Sequence, residues 1–146
     1  MDKGAVLALD DEVWADLMRA AAAVPEGRRD VEGVVPGWSS HDVVWHVAYW
    51  VARAARVLEE VRPGGPYPEE PEEGAYYDAE NDAAMPAGRA MTWDAVLAHG
   101  EQGHDRARRV VAECDETVSA WVRDRYLEEV DHFREHAAQI NAFLQR

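Results

Sequence analysis

The stretch between Pro36 and Pro66 restricts the fold more than any other part of the chain. Pro36 and Gly37 break the backbone, and Ser39 stands as a helix N-cap with Asp42 three residues on, a variant of the capping box. Apolar residues then recur at Val43, Val47, Trp50, Ala54, Leu58 and Val61 until Pro63, Gly64, Gly65 and Pro66 stop the pattern. Those spacings put the stripe on one side of a 3.6-residue helix, and such a helix must bury that side against other elements.

Three further segments share the helical period, and nothing alternates long enough to suggest a sheet. One spans 11–24, with Val13, Trp14, Leu17, Met18 and Ala21 on one side, and ends at Pro25, Glu26 and Gly27. Another starts at Thr92 as N-cap, with Trp93, Val96, Leu97, Val110 and Val111 as candidate core; Gly100 and Gly103 weaken it and predict a bend in its first half. The last spans 124–144, with Tyr126, Val130, Phe133, Ala137, Ile140 and Leu144 facing inward. Between the second and third helices, 62–91 is an acidic, proline-rich crossover, read either as a lid or rim or as a solvated linker. Tyr76 and Tyr77 favour packing back on the body. The expectation is an all-α, four-helix bundle forming a single domain over 1–146, with a long crossover between helices 2 and 3.

Charge narrows the function. Lys and Arg number 15 against 29 Asp and Glu, a formal net charge of −14. That balance argues against nucleic acid and against anionic lipid, both of which select basic surfaces. A single cysteine, Cys114, excludes an internal disulfide framework and a cysteine-cluster zinc site. Its neighbours Glu113 and Asp115 are unsuited to activating a thiol. No run approaches the roughly 18 apolar residues of a membrane span, and the first residues lack a signal-peptide pattern. A soluble, cytoplasmic, acidic single domain is expected.

Six histidines remain to be explained: His41, His46, His99, His104, His132 and His136. His132 and His136 are four apart on the last helix, one above the other, and can share one ion. At about 100° per residue, His136 lies beside the apolar stripe of Phe133 and Ile140, with His132 a little further round. Glu129 lies on the same side, one turn before His132. His46 flanks the stripe of the second helix, one turn from Val43 and Trp50, and Arg53 follows on the same side. Imidazoles at the edge of a core are costly to bury unless their nitrogens are satisfied, either by hydrogen bonds or by a metal. Three neutral imidazoles with an open fourth position form a catalytic zinc ligand set, and nickel, iron or copper also accept imidazole. The two E-x-x-H spacings, Glu101 to His104 and Glu129 to His132, evoke a di-iron carboxylate bundle. That reading fails for want of inward acids on the first two helices.

GWSSHDVVWHVAYW resembles the second-helix signature of the DinB-like metal-binding bundles, and DHFREHAAQI resembles that superfamily's last helix. YDAENDAAMPAGRAMTWDAVLA is similar to a subgroup with an Asn–Asp/Glu segment before a Trp-led third helix. The resemblance implies an up-down-down-up bundle with His46, His132 and His136 as metal ligands. It also implies kinship with mycothiol-dependent maleylpyruvate isomerase, bacillithiol S-transferases and small hydrolases. The expected chemistry is a divalent metal, zinc before nickel or iron, lowering the pKa of a bound thiol or water that attacks an electrophile. The thiol would be mycothiol or bacillithiol, and relatives suggest a homodimer. Within that frame Glu129 is a candidate catalytic base or orienter of a ligand. Arg53 is a candidate anchor for a carboxylate, or else a solvated helix residue, and Trp50 a candidate pocket wall. The alternative is a non-catalytic metal-binding or structural bundle of the same fold. His41, His99 and His104 match no ligand position and are read as surface or packing residues.

Overall fold

The capping box forms as the sequence dictates. Asp42 N–H donates to the Ser39 hydroxyl at 3.2 Å, and Ser39 N–H donates to the Asp42 carboxylate at 3.0 Å. The computed structural model describes residues 1–61, 67–69, 74–114 and 119–146. Among them are five helices: α1 (Lys3–Ala22), α2 (Ser40–Val61), α3 (Ala75–Arg89), α4 (Trp93–Glu113) and α5 (Ala120–Leu144). The breaker at 63–66 and most of the acidic run at 69–73 lie outside the described residues. No described helix is long and apolar enough to cross a membrane.

The bundle is all-α and runs up-down-down-up. Successive contacts show α2 parallel to α4: Gly100 meets Ala48, Gly103 meets Ala52, and Arg106 pairs with Glu59. Contacts between α1 and α4 run the opposite way, from Lys3 at Cys114 to Asp10 at His104. Its core holds Leu17, Leu58, Tyr126, Phe133 and Ile140, each with essentially no exposed surface. Lys3 closes α4 by donating from Nζ to the carbonyls of Ala112 and Cys114, at 3.3 and 2.7 Å.

Several expectations are corrected. The crossover packs back on the body, with Tyr77 on Trp50, but it does so as a helix, α3, that no periodicity announced. Its proline and acids give it a weak local preference, and tertiary bonds to α2 supply the rest. Tyr49 Oη donates to Glu80, Trp50 Nε1 to Asn81, and Trp45 Nε1 to the Ala84 carbonyl, at 2.8, 2.7 and 2.9 Å. A small hairpin, β1 (Glu32–Val35) and β2 (Trp38–Ser39), stands where no strand was expected. Its turn is made by Pro36 and by Gly37 at φ +79°, a backbone region that favours glycine. α1 starts at Lys3 rather than 11, capped by Asp2, and α5 at Ala120 rather than 124, capped by Ser119.

Gly100 and Gly103 interrupt nothing: α4 is continuous through both. Gly103 permits close approach instead, while Gly100 leaves room for ordinary contact. A Cβ at Gly103 would sit 3.0 Å from the Ala52 backbone, and one at Gly100 would sit 3.4 Å from Ala48 Cβ.

Asp42 also receives Arg89 from the end of α3, at 3.0 and 3.3 Å. Burial raises its carboxyl, but hydrogen bonds from Arg89 and Ser39 outweigh that and hold it below 3.8. A depressed folded value stabilises the protein above the unfolded pKa, and the contribution is lost as pH falls through the folded one. Asp42→Asn is expected to cost about 1 kcal/mol near neutrality. It should also flatten the acid limb of a urea-denaturation series run from about pH 7 to about pH 3. An undiminished gap between variant and wild type at the acid end would contradict this assignment.

Candidate metal centre

The second turn of α2 and the middle of α5 bring three imidazoles together. His46 Nε2 lies 2.8 Å from His132 Nε2. Ring centroids are 4.8 Å apart for His46 and His132, 4.9 Å for His46 and His136, and 4.5 Å for His132 and His136. One ligating nitrogen from each ring lies within 4.8 Å of the other two. His136 is buried and the others are half-buried. Two imidazole nitrogens this close cannot both present lone pairs; a proton or a cation must lie between them.

Electrostatics keeps two of the rings neutral. Burial first, then the adjacent His132 and His136, bring His46 down to about 2, with the Asn81 side chain opposing. Burial and then His132 bring His136 to about 4, with Gln139 opposing. A neutral ring is the form that ligates metal. An all-imidazole donor set with two of its rings held neutral therefore fits a divalent ion such as zinc, nickel, iron or copper.

A cavity of about 300 Å³ opens beside the imidazoles, lined by His46 and His132, by Trp50, Tyr77 and Asn81, and by Arg125, Glu128 and Glu129. Trp50, 7% exposed, donates to Asn81 and packs edge-on to Tyr77 at 5.5 Å. Glu129 is 4% exposed: Oε1 pairs with Arg125 at 3.0 Å, and Oε2 lies 3.7 Å from His132 Nδ1 without a hydrogen-bond partner. Arg53 is not among the lining residues. Its guanidinium lies over Trp50 at 5.1 Å, and its Nε meets Glu80 at 3.1 Å.

The sequence reading missed Tyr77, Asn81, Arg125 and Glu128, and also Trp38, whose ring packs on His46 at 4.9 Å. Arg125 was findable, because 125, 129, 132 and 136 are spaced four, three and four along one helix face. Tyr77 and Asn81 ride on the unexpected α3. The other histidines have partners away from the cluster. His41 faces the Gly88 carbonyl at 3.0 Å, and His104 faces Asp10 at 2.9 Å. His99 packs by Trp45 at 5.3 Å.

Residues 9–140 match the family model described as the mycothiol maleylpyruvate isomerase N-terminal domain. The chain is similar in structure to an uncharacterised protein from Escherichia coli UTI89, with a TM-score of 0.81 at 11% identity. That likeness covers 99% of this chain and 93% of the other. It is also similar to the crystal structure of the mycothiol-dependent maleylpyruvate isomerase, with a TM-score of 0.77 at 14% identity. There 96% of this chain is covered, but it spans 61% of that protein. The comparison with curated proteins gives no match.

Proposed function

Because the chain belongs to the mycothiol maleylpyruvate isomerase N-terminal domain family, a DinB-like group, we propose that it is a metal-dependent enzyme acting on a small electrophile. In this reading His46, His132 and His136 hold one divalent ion, zinc before nickel or iron. The attacking group is a low-molecular-weight thiol such as mycothiol or bacillithiol, or else water. The observation that carries the reading is the convergence of three imidazole nitrogens within 4.8 Å beside a cavity of about 300 Å³. Room for a ligand next to the cluster favours catalysis over a purely structural metal.

A bound divalent ion would supply a lowered pKa to the thiol or water. The remaining work falls to this chain's own side chains. Glu129 Oε2 faces His132 and is the oxygen available to take the nucleophile's proton or to orient that ring. Trp50 and Tyr77 wall the cavity and give it an apolar side against which a substrate can pack. Arg125, already drawn toward Glu128 and Glu129, offers positive charge where an anion develops in the substrate. Arg53 backs Trp50 and, in this reading, holds that wall in place.

The test is metal analysis of protein purified without added metal, beside a His46→Ala, His132→Ala double variant. Wild type is expected to retain about one ion per chain and the variant almost none. Metal-loaded protein would then be assayed with a panel of thiols against maleylpyruvate and a generic electrophile. Equal metal in both proteins removes the site, and metal retained with neither thiol-dependent nor hydrolytic turnover points to the non-catalytic alternative.

A further inference from the structure

The surroundings of His136 specify which of its nitrogens can ligate. Gln139 Oε1 lies 2.7 Å from His136 Nδ1, and Gln139 Nε2 lies 3.4 Å from Glu135 Oε1. All three residues lie on α5, at the spacings of three and four that make neighbours on a helix surface. An ionised carboxylate only accepts hydrogen bonds, so the Gln139 amide turns its NH2 toward Glu135 and its oxygen toward His136. An amide oxygen also only accepts, so the proton of the neutral ring resides on Nδ1 and the lone pair on Nε2.

We propose that Gln139, oriented by Glu135, is a positioning residue that holds His136 as its Nδ1–H tautomer and so commits Nε2 to the three-imidazole centre. The inference rests on reading that centre as a cation site. Nothing in the helical period of α5 requires a glutamine at 139; a half-buried position there accepts many side chains. An acceptor at that place serves the ring by fixing its face and its proton before an ion arrives, so no reorganisation is needed on binding.

The experiment compares wild type, Gln139→Leu, Gln139→Glu and Glu135→Ala by two measurements. Zinc affinity is taken by competition with a chromophoric chelator. The protonated ring nitrogen of His136 is identified from long-range 15N–1H spectra of metal-free protein. Gln139→Leu is expected to bind zinc about 10- to 100-fold more weakly and to lose the Nδ1–H preference. Gln139→Glu, which still presents an acceptor, should restore both; because Glu and Gln share one shape, it is the Nδ1–H readout, which a merely space-filling role would leave unmoved in every variant, that separates the two. Glu135→Ala, which frees the amide to flip, should move both readouts in the direction of the leucine variant but less far. Wild-type affinity and an unchanged tautomer in Gln139→Leu would overturn the proposal. Should wild type bind no zinc, the cation reading of the centre fails, while the tautomer measurement, made without metal, still decides the role of Gln139.

Discussion

Replacing Asp10 by alanine is expected to remove about 3 kcal/mol of stability, a large share of the roughly 5–15 kcal/mol that holds a domain of this size together. Asp10 on α1 has no exposed surface, and its two oxygens lie 3.0 and 2.9 Å from His104 Nε2 on α4. His104 is itself 5% exposed and stacked on Trp14 at 4.0 Å, so water cannot replace the lost acceptor. Arg108 Nε lies 3.7 Å from the same carboxylate, and burial and the Asp10 charge push the Tyr126 hydroxyl well above its ordinary range. Removing the carboxylate therefore leaves a buried ring nitrogen without its partner, and that term exceeds the side-chain volume lost. Asp10→Asn keeps an acceptor oxygen and should cost about 1 kcal/mol. An Asp10→Leu, His104→Leu double variant removes both polar groups and should be more stable than Asp10→Ala. Urea midpoints at constant m-value would measure all three. If Asp10→Ala and Asp10→Asn cost the same, the hydrogen bond is not what Asp10 contributes.

This pair also explains why α1 was read too short. Asp10, Asp11 and Glu12 look like the acidic first turn of a helix, which places its start near residue 11. In the fold Asp10 faces inward because its partner is 94 positions away, and no local pattern reports a long-range partner. The opposite holds for α2, whose cap bonds and apolar stripe are local. α3 was missed for a third reason. Few of its residues are buried, Met85 and Gly88 among those described, so it has almost no stripe to detect. Side-chain bonds to α2 hold it in place.

The candidate site divides along the same line. His132 and His136 were legible from their spacing together with their place beside the α5 stripe, His46 from its place at the edge of the α2 stripe, and the family resemblance supported all three as one ligand set. The structure brings these three rings together. Trp50 and Glu129, each one turn from a histidine, also line the cavity. Arg53 contacts Trp50 and Glu80 and is not among the residues that line the cavity. Asn81 and Tyr77 were out of reach, because their approach depends on how a weakly patterned helix docks.

That docking turns on Gly88, and Gly88→Ala is expected to undo it. Two terms compete. Alanine is favoured over glycine inside a helix by about 1 kcal/mol. Against this, an added Cβ would overlap Trp45 Cγ and Cδ1 and sit 2.6 Å from Cδ2, deeper than packing tolerates. Trp45 is 6% exposed, and its Nε1 donates to the Ala84 carbonyl on α3 itself, so the ring cannot turn aside without breaking a bond. The helix must lift instead. It would then also lose the contact between the Gly88 carbonyl and His41 and the one between Arg89 and Asp42. Overpacking of this kind costs about 3 kcal/mol, which exceeds the propensity gain. The variant should show a lowered urea midpoint, red-shifted tryptophan emission and faster exchange at the Trp45 indole N–H. Because α3 carries Tyr77 and Asn81, the cavity beside the imidazoles should lose one wall. Gly100→Ala is the matched control: its Cβ would meet Ala48 at 3.4 Å, ordinary contact, and stability should stay within about 1 kcal/mol of wild type. If Gly88→Ala matches wild type in stability and keeps the Trp45 N–H protected, α3 is not seated by this contact.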